Sequence, residues 1–341
     1  MYITDTMNGF CMQETDFPFI CIIVDDASTD GEPEVIRQYV SAHFDLSEGS
    51  EAYDKETEYA FITYARHKEN KNCYFAVLYL KENHYSKGMS KQKMSYLAEW
   101  RDNVKYDALC EGDDYWEDSQ KLKKQIHILE NNPDCSIVLS NGYVLFPSGR
   151  KGLINPLGAG VESSFISIEE MLIEKNAMFP TASMVARNDI LKRMPDFFKQ
   201  CPVGDKPYRT WMALNGKVYY FDEAMVVYRA GAISSFSLWS GRKNGYAKRL
   251  YDGMHTYYRE LNNHTGGRML SLIEYLDEKE KFFYYKRINN IYGMTRCPYF
   301  KNMTKEKQKA EIKELVFSYM RHKGRQLLTL LHLNWLYPKR F

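Results

Sequence analysis

Residues 19–31, Phe19-Ile20-Cys21-Ile22-Ile23-Val24-Asp25-Asp26-Ala27-Ser28-Thr29-Asp30-Gly31, decide the fold class. The first six form an unbroken apolar run, as expected of a strand buried on both faces of a parallel sheet. The acidic, Ser- and Gly-containing remainder suits the turn out of that strand. An amphipathic helix follows, with Val35, Ile36, Tyr39, Val40 and Phe44 on one face, Thr29 or Asp30 as its cap and Pro33 in its first turn. Strand, turn and helix make a βα unit. Ahead of it, Ile3, Met7 and Phe10 recur at helical spacing, so the chain opens helix, strand, helix.

Working outward, residues 45–70 read as polar and irregular, and an apolar strand over 74–80 restores the sheet. A Lys-rich stretch (81–93), a helix near 95–100 and a strand over 106–110 follow. Leu122, Ile126 and Leu129 mark another amphipathic helix with Asp118 as its cap, then a strand spans 136–139. Further on, the pattern predicts a helix over 168–175, a strand in FPTASMVAR (179–187), a helix between Gly204-Asp205-Lys206-Pro207 and Asn215-Gly216, and strands over 218–221 and 225–229. Alternating strands and helices predict an α/β domain over 1–240 with a mixed, mainly parallel sheet. Residues 241–341 read as a helical, aromatic and basic extension without internal repeats.

Composition narrows the function. Lys and Arg total 46 against 44 Asp and Glu, a net charge of +2, so no global field recruits nucleic acid and any anion site is local. The seven cysteines are odd in number and never spaced CxxC, which argues against a disulfide framework or a structural zinc and for a reducing, cytoplasmic setting. No window approaches the roughly 18 apolar residues of a membrane span. None of the eight His has HxxxH or HxH spacing and no Ser sits in a GxSxG elbow, so zinc-hydrolase and acyl-transfer readings find no support.

Two acidic clusters follow apolar strands. Asp25 and Asp26 stand at a carboxyl strand end, where ligands of open α/β sheets bind, although the same residues suit an ordinary strand-to-helix turn. A calcium loop starting at Asp26 fails because Arg37 occupies its twelfth position. In Glu111-Gly112-Asp113-Asp114, three carboxylates repel one another unless a cation sits among them, and a hard divalent ion is the natural one. A solvated acidic loop is the alternative.

IIVDDASTDG and CEGDDYWEDSQKLKKQ together resemble family 2 glycosyltransferases of the GT-A fold, as their nucleotide-binding turn and their DxD-type metal motif. KENHYSKGMSK, FPTASMVAR, the segment 202–229 and SFSLW (235–239) are similar to a bacterial branch, so the resemblance covers roughly residues 2 to 245. It implies an inverting transfer of a sugar from a nucleotide diphosphate donor, a UDP-sugar, to a glycan or lipid-linked acceptor in cell-surface polysaccharide synthesis, with Mn²⁺ or Mg²⁺ as cofactor. It implies Asp113 and Asp114 as metal ligands, Glu111 standing where the family often has Asp. Asp25, Asp26, Ser28, Glu111, Asp113, Lys87 and Arg229 fall to the nucleotide, and Lys91 lies in the same basic loop as Lys87. Asp205 falls to the general base, a role it shares with helix capping. The family often places His two residues after the Arg, and here that position is Gly231.

Family members also open with a strand that lies beside the one matching 19–24, and this sequence starts at the helix after it. The expectation is therefore a start at an internal Met or a truncated copy, with a non-catalytic remnant that binds nucleotide weakly, or a membrane-associated scaffold, as the rival function. A nucleotidyltransferase also needs acidic metal sites, but its Gly-rich basic loop is absent. At the C-terminus, Leu315, Val316, Tyr319 and Met320, then Leu327, Leu328, Leu330, Leu331 and Leu333, form apolar stripes with Trp335 and Tyr337. Arg321, Lys323, Arg325, Lys339 and Arg340 add charge without an acid. This suits an interfacial anchor at the inner face of a membrane, while packing on the catalytic domain or in a homodimer would use the same leucines.

Overall fold

The computed structural model describes residues 2–89, 92, 95–156, 162–173, 178–231 and 245–330. Lys91, the 235–239 stretch and residues 331–341 lie outside the described residues, as do the side chains of 321–330. The chain divides into two compact units: residues 1–194 with 208–230, and residues 195–207 with 231–341.

The first unit is α/β. Helix α1 (Tyr2–Cys11) leads to β1 (Phe19–Asp25), and α2 (Glu32–His43) follows the acidic turn. A left-handed Gly31, at φ 86°, takes the cap position of α2, and Asp30, one of the two expected caps, accepts from the Glu32 N–H at 3.2 Å. The stretch read as irregular holds β2 (Phe44–Asp45), β3 (Tyr53–Glu56) and β4 (Ala60–His67), which meander into β5 (Cys73–Leu80). These strands form one sheet in the order β1-β5-β4-β2, with β3 on β4.

The second sheet has the order β10-β12-β8-β11-β6, with β7 on β12 and β9 on β8. Its strands are β6 (Tyr106–Ala108), β7 (Tyr115–Trp116), β8 (Cys135–Leu145), β9 (Lys151–Leu153), β10 (Ser164–Ile166), β11 (Val185–Arg187) and β12 (Lys217–Arg229). Helix α3 (Lys121–Asn131) precedes β8, and α4 (Asp205–Leu214) precedes β12. The two strands read over 218–229 are a single strand, whose pairing with β8 shifts register between Phe221 and Val226. FPTASMVAR is a 3₁₀ turn (Thr181–Ser183) followed by β11 rather than one strand. The sheets are mixed, but the mainly parallel expectation does not hold. Only β1 with β5 and β12 with β8 run parallel, and every other described pairing is antiparallel. The meander and the hairpin-like returns reverse the chain without a crossover helix.

Among the described residues, β1 pairs with β5 alone and β6 with β11 alone, so each ends its sheet. Helix α1 straddles both sheets. The Phe10 ring lies 6.3 Å from that of Phe75 on β5 and 4.7 Å from that of Trp116 on β7. At Gly9 the helix touches β7 so closely that a Cβ would lie 2.6 Å from the Trp116 carbonyl oxygen. Ile3, Met7, Ile23, Phe44, Val77 and Leu129 complete this core, each large apolar side chain contributing roughly 1.5–3 kcal/mol by leaving water.

The second unit is helical, with α5 (Tyr246–His264), α6 (Leu270–Arg287) and α7 (Lys305–Leu330) as its long members. Phe282, Met294, Cys297, Phe300 and Leu315 form its core. Leu315 is thus buried, whereas Val316 and Met320 of the same expected stripe are 37% and 63% exposed. No described helix is long and apolar enough to cross a membrane.

Candidate functional site

The turn after β1 is fastened from the loop after β5. Asp26 Oδ1 accepts from His84 N–H (2.8 Å), Oδ2 from Tyr85 N–H (3.0 Å), and the Asp26 carbonyl from Asn83 Nδ2 (2.7 Å). Asp25 is buried at 5% exposure, and Ser28 N–H points to its carboxylate at 3.4 Å from either oxygen. Ala27 between them takes a positive φ of 54°, a conformation that costs a residue with a Cβ and that the surrounding bonds enforce. Asp26 therefore fixes the turn, and Ser28 serves the same geometry through its backbone. Lys87 is exposed and ion-paired with Glu82.

His84 was not singled out in the sequence, yet it is central here. It is 1% exposed, with Nε2 at 3.1 Å from the Tyr96 hydroxyl and Nδ1 at 2.9 Å from the Glu82 carbonyl. Beside it opens a cavity of about 310 Å³, lined also by Tyr59, Lys81, Met89 and Glu58, in which the Tyr59 and Tyr96 rings stack at 3.6 Å. The only sequence signal for this group was a His in a loop after an apolar strand.

The acidic loop after β6 is built on α1 and β12. Thr6 Oγ1 donates to the carbonyls of Gly112 (3.1 Å) and Asp114 (2.6 Å), and Asp114 N–H closes a turn on the Glu111 carbonyl at 3.0 Å. Arg229, at the end of β12, is the fastener. Its N–H donates to Asp114 Oδ1 (2.8 Å), Nη1 to the Asp113 carbonyl (2.6 Å), and Nη2 pairs with Asp5. Its guanidinium lies between the rings of Tyr2 and Tyr115, 4.9 and 4.7 Å from their centroids. The sequence left a phosphate contact or a salt bridge open for Arg229, and here it makes the salt bridge.

The three carboxylates of the loop face different surroundings. Glu111 is exposed and Asp113 half-buried, whereas Asp114 is turned inward at 1% exposure. Asp114 Oδ2 has no hydrogen-bond partner. Burial pushes its carboxyl up from 3.8 to about 7; the Arg229 N–H pulls the other way, and the charges of Asp113 and Glu111 add to the rise. Such a group binds its proton more tightly folded than unfolded, so stability falls as pH climbs from about 4 to about 7. Asp114→Asn keeps the acceptor for Arg229 N–H and removes the charge. In metal-free buffer its gain, about 2 kcal/mol allowing for relaxation, is expected at pH 8 and absent near pH 4. Paired thermal melts at both pH values check it, and equal gains would show that the buried charge is not the cause.

Both acidic turns act on one side chain. The Glu32 carboxyl, in the first turn of α2, is pushed up by burial first and then by the charges of Asp30, Asp25 and Asp113. No three His, Cys, Asp or Glu side chains among the described residues form a group able to hold a metal ion. Glu111 and Asp113, facing out, suit a divalent ion that takes its remaining ligands from phosphate and water, as Mg²⁺ commonly does. The orphaned Asp114 Oδ2 lies behind them. Asp205 opens α4 and belongs to the second unit, where its neighbour Lys206 pairs with Glu280 at 2.7 Å.

No family model matches the chain. It is 26% identical, over 235 residues, to an uncharacterized protein of Mycobacterium bovis and to uncharacterized proteins of two strains of Mycobacterium tuberculosis. The aligned segment covers 68% of this chain and 56% of each relative, so the chain spans a little over half the length of the curated relatives it matches.

Proposed function

We propose that this chain is a GT-A-type, metal-dependent, inverting glycosyltransferase that moves a sugar from a UDP-sugar to a glycan or lipid-linked acceptor. The supporting observation is that both acidic turns act on one group, the Glu32 carboxyl in the first turn of α2, which feels Asp25 from one and Asp113 from the other. Carboxylates that oppose one another's ionisation favour a cation, and a cation there would draw a diphosphate into an otherwise anion-repelling site. Asp113 and Asp114, the ligands the resemblance implies, would hold Mn²⁺ or Mg²⁺, Asp114 through its unpartnered Oδ2, with Glu111 beside them in the loop. The ion would supply charge neutralisation for the departing diphosphate. Asp25 shapes the nucleotide side of the site, and Asp26 holds the turn through the amides of residues 84 and 85. Asp205 takes the acceptor hydroxyl proton as that oxygen attacks the anomeric carbon.

The reading predicts that titration calorimetry with a UDP-sugar gives binding only with Mn²⁺ or Mg²⁺ present. Asp113→Asn should weaken that binding at least about 10-fold. Metal-independent binding, or an unaffected variant, would remove the metal from the scheme. For Asp205→Asn, turnover should fall while donor affinity stays, as for a group acting in the transition state. Donor affinity lost in step with turnover would instead assign Asp205 to donor binding. A second reading, nucleotide binding without turnover, draws on the inward set of Asp114 and the Arg229 clamp, which leave fewer carboxylates open to a cation. Binding with no transfer to any acceptor would favour it.

A further inference from the structure

The cavity beside His84 takes its walls from two places: Glu58 and Tyr59 at the turn between β3 and β4, and Lys81, Glu82, His84 and Tyr96 beyond the end of β5. Its polar groups are largely acceptors. The Glu82 carbonyl can only accept, so His84 Nδ1, 2.9 Å from it, carries a ring hydrogen. In the neutral ring Nε2 then accepts from the Tyr96 hydroxyl at 3.1 Å, which leaves the Tyr96 oxygen as an acceptor.

The charges point the same way. Lys81, the ammonium on the cavity wall, is taken up by Glu56 at 2.7 Å and by the Phe61 ring, 4.9 Å from its centroid. Glu82 pairs with Lys87, whereas Glu58 is exposed and forms no ion pair among the described residues. Three carboxylates (Glu56, Glu58, Glu82) thus meet two ammonium groups, and one negative charge remains over. The Tyr96 hydroxyl registers it: burial first, and then the charge of Glu58, push its pKa up. Beside these groups the Tyr59 and Tyr96 rings stack with centroids 3.6 Å apart, and the faces of such rings attract cations. Acceptors, a residual negative charge and aromatic faces select a cation that donates hydrogen bonds. A volume of about 310 Å³ limits it to a small molecule.

We propose that this cavity binds a small primary-ammonium compound, up to about the size of an amino sugar, whose ammonium donates to Glu58 and the Tyr96 oxygen while its body lies against Tyr59. The site does not depend on the proposed transferase activity. It does adjoin the Asp26 turn through one residue, since the His84 ring walls the cavity while the His84 N–H donates to Asp26 Oδ1 at 2.8 Å.

The test is calorimetric titration of the full chain at pH 7 and fixed ionic strength with glucosamine and with 2-aminoethanol. Glucose and ethylene glycol, their counterparts without the ammonium, should bind at least about 10-fold more weakly. Glu58→Gln changes an exposed, unpaired side chain, so the free variant should melt with the parent. Its affinity for both amines should fall at least about 5-fold. A bound amine should also slow hydrogen exchange at the His84 and Tyr85 amides by about 10-fold and leave those of α3 unchanged. Absence of binding by both amines, equal affinity for an amine and its neutral counterpart, or an unaffected Glu58→Gln variant would each overturn the proposal. So would protection that falls on residues 111–114 instead of 84 and 85, because the ammonium would then sit in the acidic loop.

Discussion

Arg229→Met is expected to lower stability by about 2 kcal/mol, the cost of leaving the Asp113 carbonyl without its charged donor together with the lost stacking, and to weaken nucleotide binding with it. The side chain is 9% exposed and ties three separate segments: Asp5 and the Tyr2 ring in α1, the Asp113 carbonyl in the acidic loop, and the Tyr115 ring in β7. Met matches much of the volume but donates no hydrogen bond, so the Asp113 carbonyl loses its partner. Asp5, 54% exposed, can turn to water and contributes little to the loss. Most of the effect therefore belongs to the charge-assisted bond at Asp113 and the stacking. Arg229→Lys should recover only part, since an ammonium cannot reach the carbonyl and Asp5 as one planar fork. Thermal melts of both variants check the order, and a Met variant as stable as the parent would show that the clamp is decorative. Because the loop that Arg229 holds carries Glu111 and Asp113, the metal-dependent affinity should fall in the same order.

The elements legible from sequence were those whose burial follows a simple period. The six apolar residues of β1, the Val35, Ile36, Tyr39 and Val40 face of α2, and the stripe of α3 each announce themselves, because one face or both faces are uniformly apolar. β4 hid inside a polar stretch because it carries Arg66 and His67 and exposes Phe61 at 50%, so its alternation reads as noise. The split of β12 into two had a similar origin: Asp222 and Glu223 interrupt an apolar run, yet they sit where the ladder shifts register, Glu223 exposed and Asp222 accepting from the buried Asn141 Nδ2 at 2.9 Å. Strand direction was not legible at all, since it depends on which strands meet. An expectation taken from alternating helices overlooked a meander that needs none.

The site was legible at the level of which residues are acidic, and not at the level of which way they face. Asp26 is held by amides 58 and 59 residues away, and Asp114 by an amide 115 residues away. Such bonds come from chain reversals that leave no local trace. Arg229 showed the reverse problem. A lone Arg at a strand end invites a ligand role, and only the tertiary arrangement reveals that Asp5 and the Asp113 carbonyl occupy it first.

Lys121→Met is expected to raise stability by about 2–4 kcal/mol below pH 7, a gain in melting temperature of roughly 5–10 °C. The ammonium is fully buried, and burial brings its pKa from 10.5 down to about 7. Between those values the unfolded chain binds the proton and the folded chain does not, so stability climbs with pH across that window. Below about pH 7 both states are charged and the full desolvation cost applies. The Trp116 ring, 4.4 Å from Nζ, offsets part of it, by about 2 kcal/mol for a desolvated pair. Methionine keeps the length and the contact with the indole while removing the charge, so its advantage should shrink steadily from pH 7 toward pH 10. Melts of parent and variant across that range check the slope, and a constant difference at all pH values would trace the gain to packing.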